Sequence, residues 1–153
     1  DFMEMSQLAL QAGFAAEGKK VIDEGFANGS LGKGAEADRH KRLKDLAEKR
    51  LAESQKSLAS GQEDSEANAA KDGNALVTLG YKYVTTGQGA KGVGMIEAGI
   101  KKGGLRRPED AKLLLGLAHL QTGNKAKGVQ VLKTVHGNDG AADLARLWVI
   151  FSR

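Results

Sequence analysis

At 153 residues the chain can bury roughly 70% of its unfolded surface, so it needs no metal or disulfide to hold a core. It has no cysteine, which excludes disulfides, thiolate catalysis and Cys-ligated zinc. Its 23 Lys and Arg are interspersed with 19 Asp and Glu, giving a net charge of +4. No uninterrupted basic run of five occurs, which argues against a nucleic-acid partner. No apolar stretch approaches the length of a membrane span, which argues against membrane insertion.

The chain opens at Asp1 rather than methionine, the mark of a processed or excised sequence. Residues of about 3–30 carry Gly13, Ala16, Gly18, Ile22 and Gly25, which stand 74 positions before Gly87, Ala90, Gly92, Ile96 and Gly99. Residues of about 36–60 are highly charged, yet Leu43, Leu46, Ala47, Leu51, Ser54 and Leu58 keep a helical stripe. One long amphipathic helix with a solvated face is predicted there, with His40 on the solvated side. Residues 60–73 are polar and acidic and read as a loop or frayed helix.

The segment of about 74–104 has Leu76, Leu79, Gly80 and Tyr83 on one helix face. Gly87 and Gly89 then supply a turn, and Val93, Ile96 and Ile100 form a second stripe. Lys101 and Lys102 suit the negative end of that second helix, and Gly103–Gly104 stop it. Arg107–Pro108–Glu109–Asp110 opens the next helix, with proline at its first position and acids in its first turn. Over about 108–136 the plan returns. Leu79–Gly80, Thr86–Gly87 and Ala90–Lys91–Gly92–Val93 recur 36 residues on as Leu115–Gly116, Thr122–Gly123 and Ala126–Lys127–Gly128–Val129. A fixed period of this length is the signature of stacked repeats. A last helix of about 140–152 carries Leu144, Leu147, Trp148 and Phe151 on one face, and is predicted to cap the stack.

These hairpins resemble tetratricopeptide repeats. The signature slots (Leu–Gly, an aromatic, a turn glycine, a small residue, an apolar residue) hold Leu79–Gly80, Tyr83, Gly87, Gly92 and Ile96. The next copy holds Leu115–Gly116, His119, Gly123, Gly128 and Leu132. Where the family has alanine in its second helix, this chain has Gly18, Gly92 and Gly128. Glycine there costs about 1 kcal/mol of helix propensity, which close backbone approach would offset. The family's tryptophan is missing and the period is 36 rather than 34. The resemblance implies an all-α solenoid of helical hairpins in a single domain. As a whole the chain also looks like the C-terminal part of longer exported tetratricopeptide proteins of Gram-negative bacteria, which implies a periplasmic location.

Gly87–Gln88–Gly89–Ala90–Lys91–Gly92 also matches G-x-G-x-x-G. Strand-forming residues precede it, and Glu109 and Asp110 stand about 20 residues on, so a nucleotide-binding enzyme domain is the rival reading. The repeat opposes it, because Gly123–Asn124–Lys125–Ala126–Lys127–Gly128 holds the same place without the middle glycine. The histidines His40, His119 and His136 show no metal-ligand spacing. His119 fills the slot of Tyr83 and reads as a packed helix-face residue. No metal, cofactor or catalytic constellation is indicated.

By resemblance, the first helix of each hairpin lines a concave groove. Its face is Asn74, Val77, Tyr81, Val84 and Thr85 in one copy, and Asp110, Leu113, Leu117, Leu120 and Gln121 in the next. Proteins that grip peptide carboxylates put Lys, Arg and Asn there, and this face is apolar instead. It is read as receiving an apolar or amphipathic segment of a protein or peptide partner. The competing reading packs it on the long helix, on preceding repeats or on a second copy. Lys101, Lys102, Arg106 and Arg107 form a basic cluster, read either as helix capping or as an anionic-partner patch. The expected function is a non-catalytic interaction scaffold, or else a purely structural end of a longer solenoid. Circular dichroism separates these from the enzyme reading: a strongly helical spectrum with almost no strand is expected.

Overall fold

The computed structural model describes residues 1–153, and every regular element is helical. In chain order these are α1 (Phe2–Gln11), α2 (Ala15–Ala27), a 3₁₀ turn (Gly34–Glu36), α3 (Ala37–Ser60), α4 (Gln62–Ala69), α5 (Asn74–Thr85), α6 (Gly89–Lys102), α7 (Pro108–Gln121), α8 (Lys125–Leu132) and α9 (Ala141–Phe151). The acidic stretch after residue 60 is thus a helix, α4. Where the sequence reads as one domain, the helices gather into two units, Asp1–Gly61 and Gln62–Arg153.

The three hairpins turn on one backbone device. Gly13, Gly87 and Gly123 have φ of 83°, 92° and 83°, the left-handed conformation that only glycine adopts cheaply. The amide after each glycine (Phe14, Gln88, Asn124) donates back to the carbonyl of Ala9, Tyr83 or His119 at 2.8–2.9 Å. The glycine amide itself donates to Leu10, Val84 or Leu120. This is the Schellman closure of a helix C-terminus, repeated three times.

Past the turn, the two helices of each hairpin meet at small residues. A Cβ on Gly92 would lie 2.3 Å from the Gly80 carbonyl oxygen and 2.6 Å from Val84 Cγ2. A Cβ on Gly128 would lie 3.0 Å from the Gly116 oxygen and 2.8 Å from Leu120 Cδ2. In the first hairpin Ser6 holds the place of Gly80, and its buried hydroxyl donates to the Gly18 carbonyl at 2.7 Å. The repeat glycines are therefore contact points between paired helices, and their propensity cost is offset by backbone packing.

In the first unit, Met3, Ile22, Leu31, Leu43 and Ala47 form the core, with Phe2, Leu10 and Phe26 packed around it. Asp23 on α2 pairs with Lys19 and reaches Lys44 of α3 at 3.3 Å. The α3 stripe is only partly used, since Leu43, Ala47 and Leu58 are buried but Leu46 is exposed. His40 is not simply solvated: its Nδ1 accepts the Gly32 amide at 3.0 Å and fastens the α2–α3 connection.

In the second unit α4 packs on α5, α5 pairs with α6 and α7 with α8. Helix α7 also lies against α5 and α6, and α9 lies against α7 and α8. Leu76, Val77, Leu79, Tyr83, Val84 and Ile96 are buried along α5 and α6. Leu113, Leu132, Val135, Ala141 and Ala145 form a second cluster, joined by Leu117, Leu120 and Val149.

Two glycines of α6 test this account in opposite directions. Gly92→Ala forces a methyl group into the Gly80 carbonyl and is expected to destabilise by about 2–3 kcal/mol despite its better propensity. Gly94 has open space around its Cα, so Gly94→Ala is expected to stabilise by about 0.5–1 kcal/mol. Urea unfolding midpoints read both.

Candidate functional site

The face predicted to line a groove is engaged inside the chain. Val77 and Val84 lie seven residues apart, on the side of α5 that carries Gly80, and both point at α6. The Val77 and Val84 methyls are the atoms that would crowd a Cβ on Gly99 and Gly92. Leu113 is buried in the α7–α8–α9 cluster, and Leu117 and Leu120 are half-buried beside it. Tyr81 is 3% exposed, and its hydroxyl accepts from Gln121 Nε2 at 2.9 Å, tying α5 to α7.

The polar members are likewise occupied. Asn74 Nδ2 donates to the Gly104 carbonyl at 3.2 Å and its Oδ1 accepts the Arg106 amide at 3.1 Å, so it fastens the α6–α7 loop to the start of α5. Thr85 Oγ1 donates to the Lys82 carbonyl, and Asp110 pairs with Arg107 at 2.9 Å. The open groove placed on Val77, Tyr81, Val84 and Leu113 is thus corrected to helix-packing contact. A helical stripe of apolar residues cannot by itself say which neighbouring helix covers it.

The basic cluster divides in a similar way. Lys102 Nζ donates to the Asn68 carbonyl at 2.8 Å, and Arg107 also approaches Asp139 at 3.6 Å. All four side chains nonetheless remain exposed. The glycine motif lies between two helices: Gly87 and Gln88 make the turn and Gly89 begins α6. The strand that a dinucleotide fingerprint requires before its first glycine is replaced by α5. No three His, Asp or Glu side chains gather as metal ligands would, and no helix is long and apolar enough to cross a membrane.

A polar clasp holds α4, α5 and α6 of the second unit together. Tyr83, 1% exposed, donates its hydroxyl to Asp64 Oδ1 of α4 at 2.5 Å. Lys91 of α6 reaches Asp64 Oδ2 at 2.6 Å, and its ammonium sits 4.1 Å from the Tyr83 ring centroid. One repeat later, His119 replaces Tyr83 and Lys127 replaces Lys91, and Glu97 of α6 supplies the acid. Glu97 lies 3.4 Å from Lys127 Nζ, but at 3.7 Å from His119 Nε2 it makes no hydrogen bond, and that buried nitrogen has no hydrogen-bond partner. Burial and the Asp64 carboxylate push the Tyr83 phenol above its ordinary range, which leaves it a poor acid. The groove nearest Asp64, beside Glu63, Glu66 and Lys82, does not include the phenol. The clasp is structural.

The open surface is at the other end of this unit. Helix α9 packs inward through Ala141, Ala142 and Ala145, while Leu144, Leu147, Trp148 and Phe151 are 42%, 47%, 41% and 74% exposed. The face read as a cap is therefore bare, and α9 covers the core with its small residues instead. On its other side α9 forms a groove with α8 of about 580 Å³, floored by Leu132, Val135 and Val149 and edged by the exposed Ile150 with Lys133, His136 and Arg146. A neighbouring cavity of about 670 Å³ extends it past Lys125 and Val129. The signal for this site is present in the sequence as the three alanines, whose small side chains permit the closest approach.

Compared with family models, with curated proteins and with solved structures, the chain matches none.

Asp64 and the buried His119 make stability depend on pH. Burial opposes the Asp64 charge, but hydrogen bonds from Lys91 and Tyr83 outweigh it and hold its pKa below the ordinary 3.8. Burial, aided by Lys127 and opposed by Glu97, holds His119 below 6.5. Both folded-state values are depressed, so both contributions are complete above the unfolded-state pKa and are lost as pH falls through the folded one. His119→Gln is expected to flatten the stability profile just below about pH 6.5, and Asp64→Asn below about pH 4. Denaturant midpoints measured from pH 3 to 8 check both windows.

Proposed function

We propose that this chain is a tetratricopeptide-like interaction module without catalytic chemistry, which docks an apolar or amphipathic helical segment of a protein partner. Three features support the solenoid reading: the recurrent turn, the recurrent glycine contact and the 36-residue period. Helix α9 lies against α7 and α8 as α7 lies against α5 and α6, so it has the position of a first helix in a further hairpin. The observation that carries the docking reading is the exposure of Leu144, Leu147, Trp148 and Phe151 on one face of α9. An apolar stripe of that size is ordinarily covered in the working assembly. The docking place is thus moved from α5 and α7 to the C-terminal end.

The same face favours a second reading, a structural end segment on which the next hairpin of a longer solenoid packs. A periplasmic location rests on the likeness to exported bacterial proteins, and fractionation of a tagged full-length protein tests it.

The principal test is a crosslinking pull-down from Gram-negative cell-envelope extract, comparing wild type with Leu147→Glu/Trp148→Glu. Both residues are exposed, so the variant is expected to keep its helical spectrum. A protein captured by wild type and reduced at least about tenfold by the variant is the expected result. Equal capture by both, or none by either, removes the docking reading and leaves the structural one. Saturable binding of NAD or ATP in titration calorimetry would restore the enzyme reading.

A further inference from the structure

The groove between α8 and α9 differs in chemistry from the bare stripe. Arg146, Val149 and Ile150 of α9, and Arg153 just past its end, are each two residues beyond Leu144, Leu147, Trp148 and Phe151. Two residues are about 200° of helix, so the two sets face nearly opposite ways. The groove's floor is apolar, and every charged residue that lines it is basic: Lys133, Arg146, Arg153 and, in the extension, Lys125. Lys133 and Arg146 are exposed. Arg146 is held only within its own helix, its Nε donating to the Ala142 carbonyl at 3.3 Å and its guanidinium 3.5 Å from the exposed Asp143, and Lys125 Nζ donates to the Arg153 carbonyl at 3.4 Å.

The cations are spaced along both walls. Lys125 opens α8 and Lys133 caps its C-terminus, about 12 Å along the axis. Arg146 stands on α9 and Arg153 just past its last turn, seven residues on. Two helical turns separate the charges on each wall, which is also the separation of side chains at i and i+7 on a bound helix. A single-headed anionic amphiphile would answer one end of this arrangement and leave the other unpaired.

We infer that the α8–α9 groove binds an acidic amphipathic helix, its apolar face on Val129, Val149 and Ile150 and its carboxylates between the Lys133 and Arg146 walls. This rests on the interaction-module reading and names the partner chemistry of a second surface on the same end. Charge of one sign around an apolar floor selects partners by sign, and raises the association rate for the favoured one.

The test uses three synthetic amphipathic helices of one apolar face, with Glu, Gln or Lys at the flanking i and i+7 positions. Binding to the whole chain is followed by fluorescence anisotropy at low and high salt. The Glu peptide is expected to bind at least about 30-fold more tightly than the Lys peptide, and to weaken steeply with salt. Lys133→Glu/Arg146→Glu is expected to reverse that order, and the milder Lys133→Gln to weaken the Glu peptide without disturbing the helical spectrum. Leu147→Glu/Trp148→Glu is expected to leave the peptide affinities within about twofold, because it alters the other side of α9.

Equal binding of the Glu and Gln peptides, unmoved by Lys133→Glu/Arg146→Glu, would overturn the inference while leaving the interaction-module reading intact. Binding of none of the three would overturn it too, and the stripe variant's capture result would then decide that reading separately. Myristate displacing the Glu peptide stoichiometrically would overturn it in favour of a lipid site.

Discussion

The close approach of paired helices at residues with little or no side chain is the contact on which the rest of the molecule depends. At Gly80–Gly92 and Gly116–Gly128 backbone meets backbone, and at Ser6–Gly18 a hydroxyl reaches the carbonyl directly. Each hairpin then needs a turn of fixed geometry, which the left-handed glycines supply. Close pairing also fixes which side chains are left over. With Val77 and Val84 committed to α6, the outward edge of α5 is free to meet α7 through Tyr81. Packing of this kind is unforgiving of volume, because the atoms in contact are backbone and cannot change rotamer.

Much of the fold was legible because helix periodicity and glycine punctuation are local signals. The hairpins over 74–104 and 108–136, the long α3 and a helix after residue 140 all appear in the sequence as spacing alone. The face of each helix was harder to read. Val77, Tyr81 and Leu113 form an apolar stripe whether they line a groove or a core, and only the position of a neighbouring helix distinguishes these. The same ambiguity misled in the opposite direction at α9. Leu144, Leu147, Trp148 and Phe151 are the bulkiest residues of that helix and so looked like its buried face, yet Ala141, Ala142 and Ala145 make the contact. The glycines show why: throughout this chain the closest helix contacts are made by the smallest residues.

The two faces of α9 divide the candidate site by chemistry. One is apolar without flanking charge of a single sign, and so discriminates little beyond shape. The other combines an apolar floor with cations set about two turns apart. Helix periodicity places them on opposite sides of one element, so a change on one face reaches the other only through the alanine seam.

The Tyr83 clasp and its counterpart at His119 carry a consequence for how such a chain could have grown. Tyr83 and His119 each look backwards, to an acid on the helix that precedes their own hairpin, while the lysine comes from the helix that follows. A hairpin therefore brings two parts of a three-part lock and takes the third from its predecessor. Duplicating the last hairpin at the C-terminal end would require only an acid on α8 near the new aromatic position. Transposing hairpins within the chain would part each such residue and its lysine from that acid. The order of repeats is written into their polar contacts, and the architecture lengthens more easily than it reshuffles.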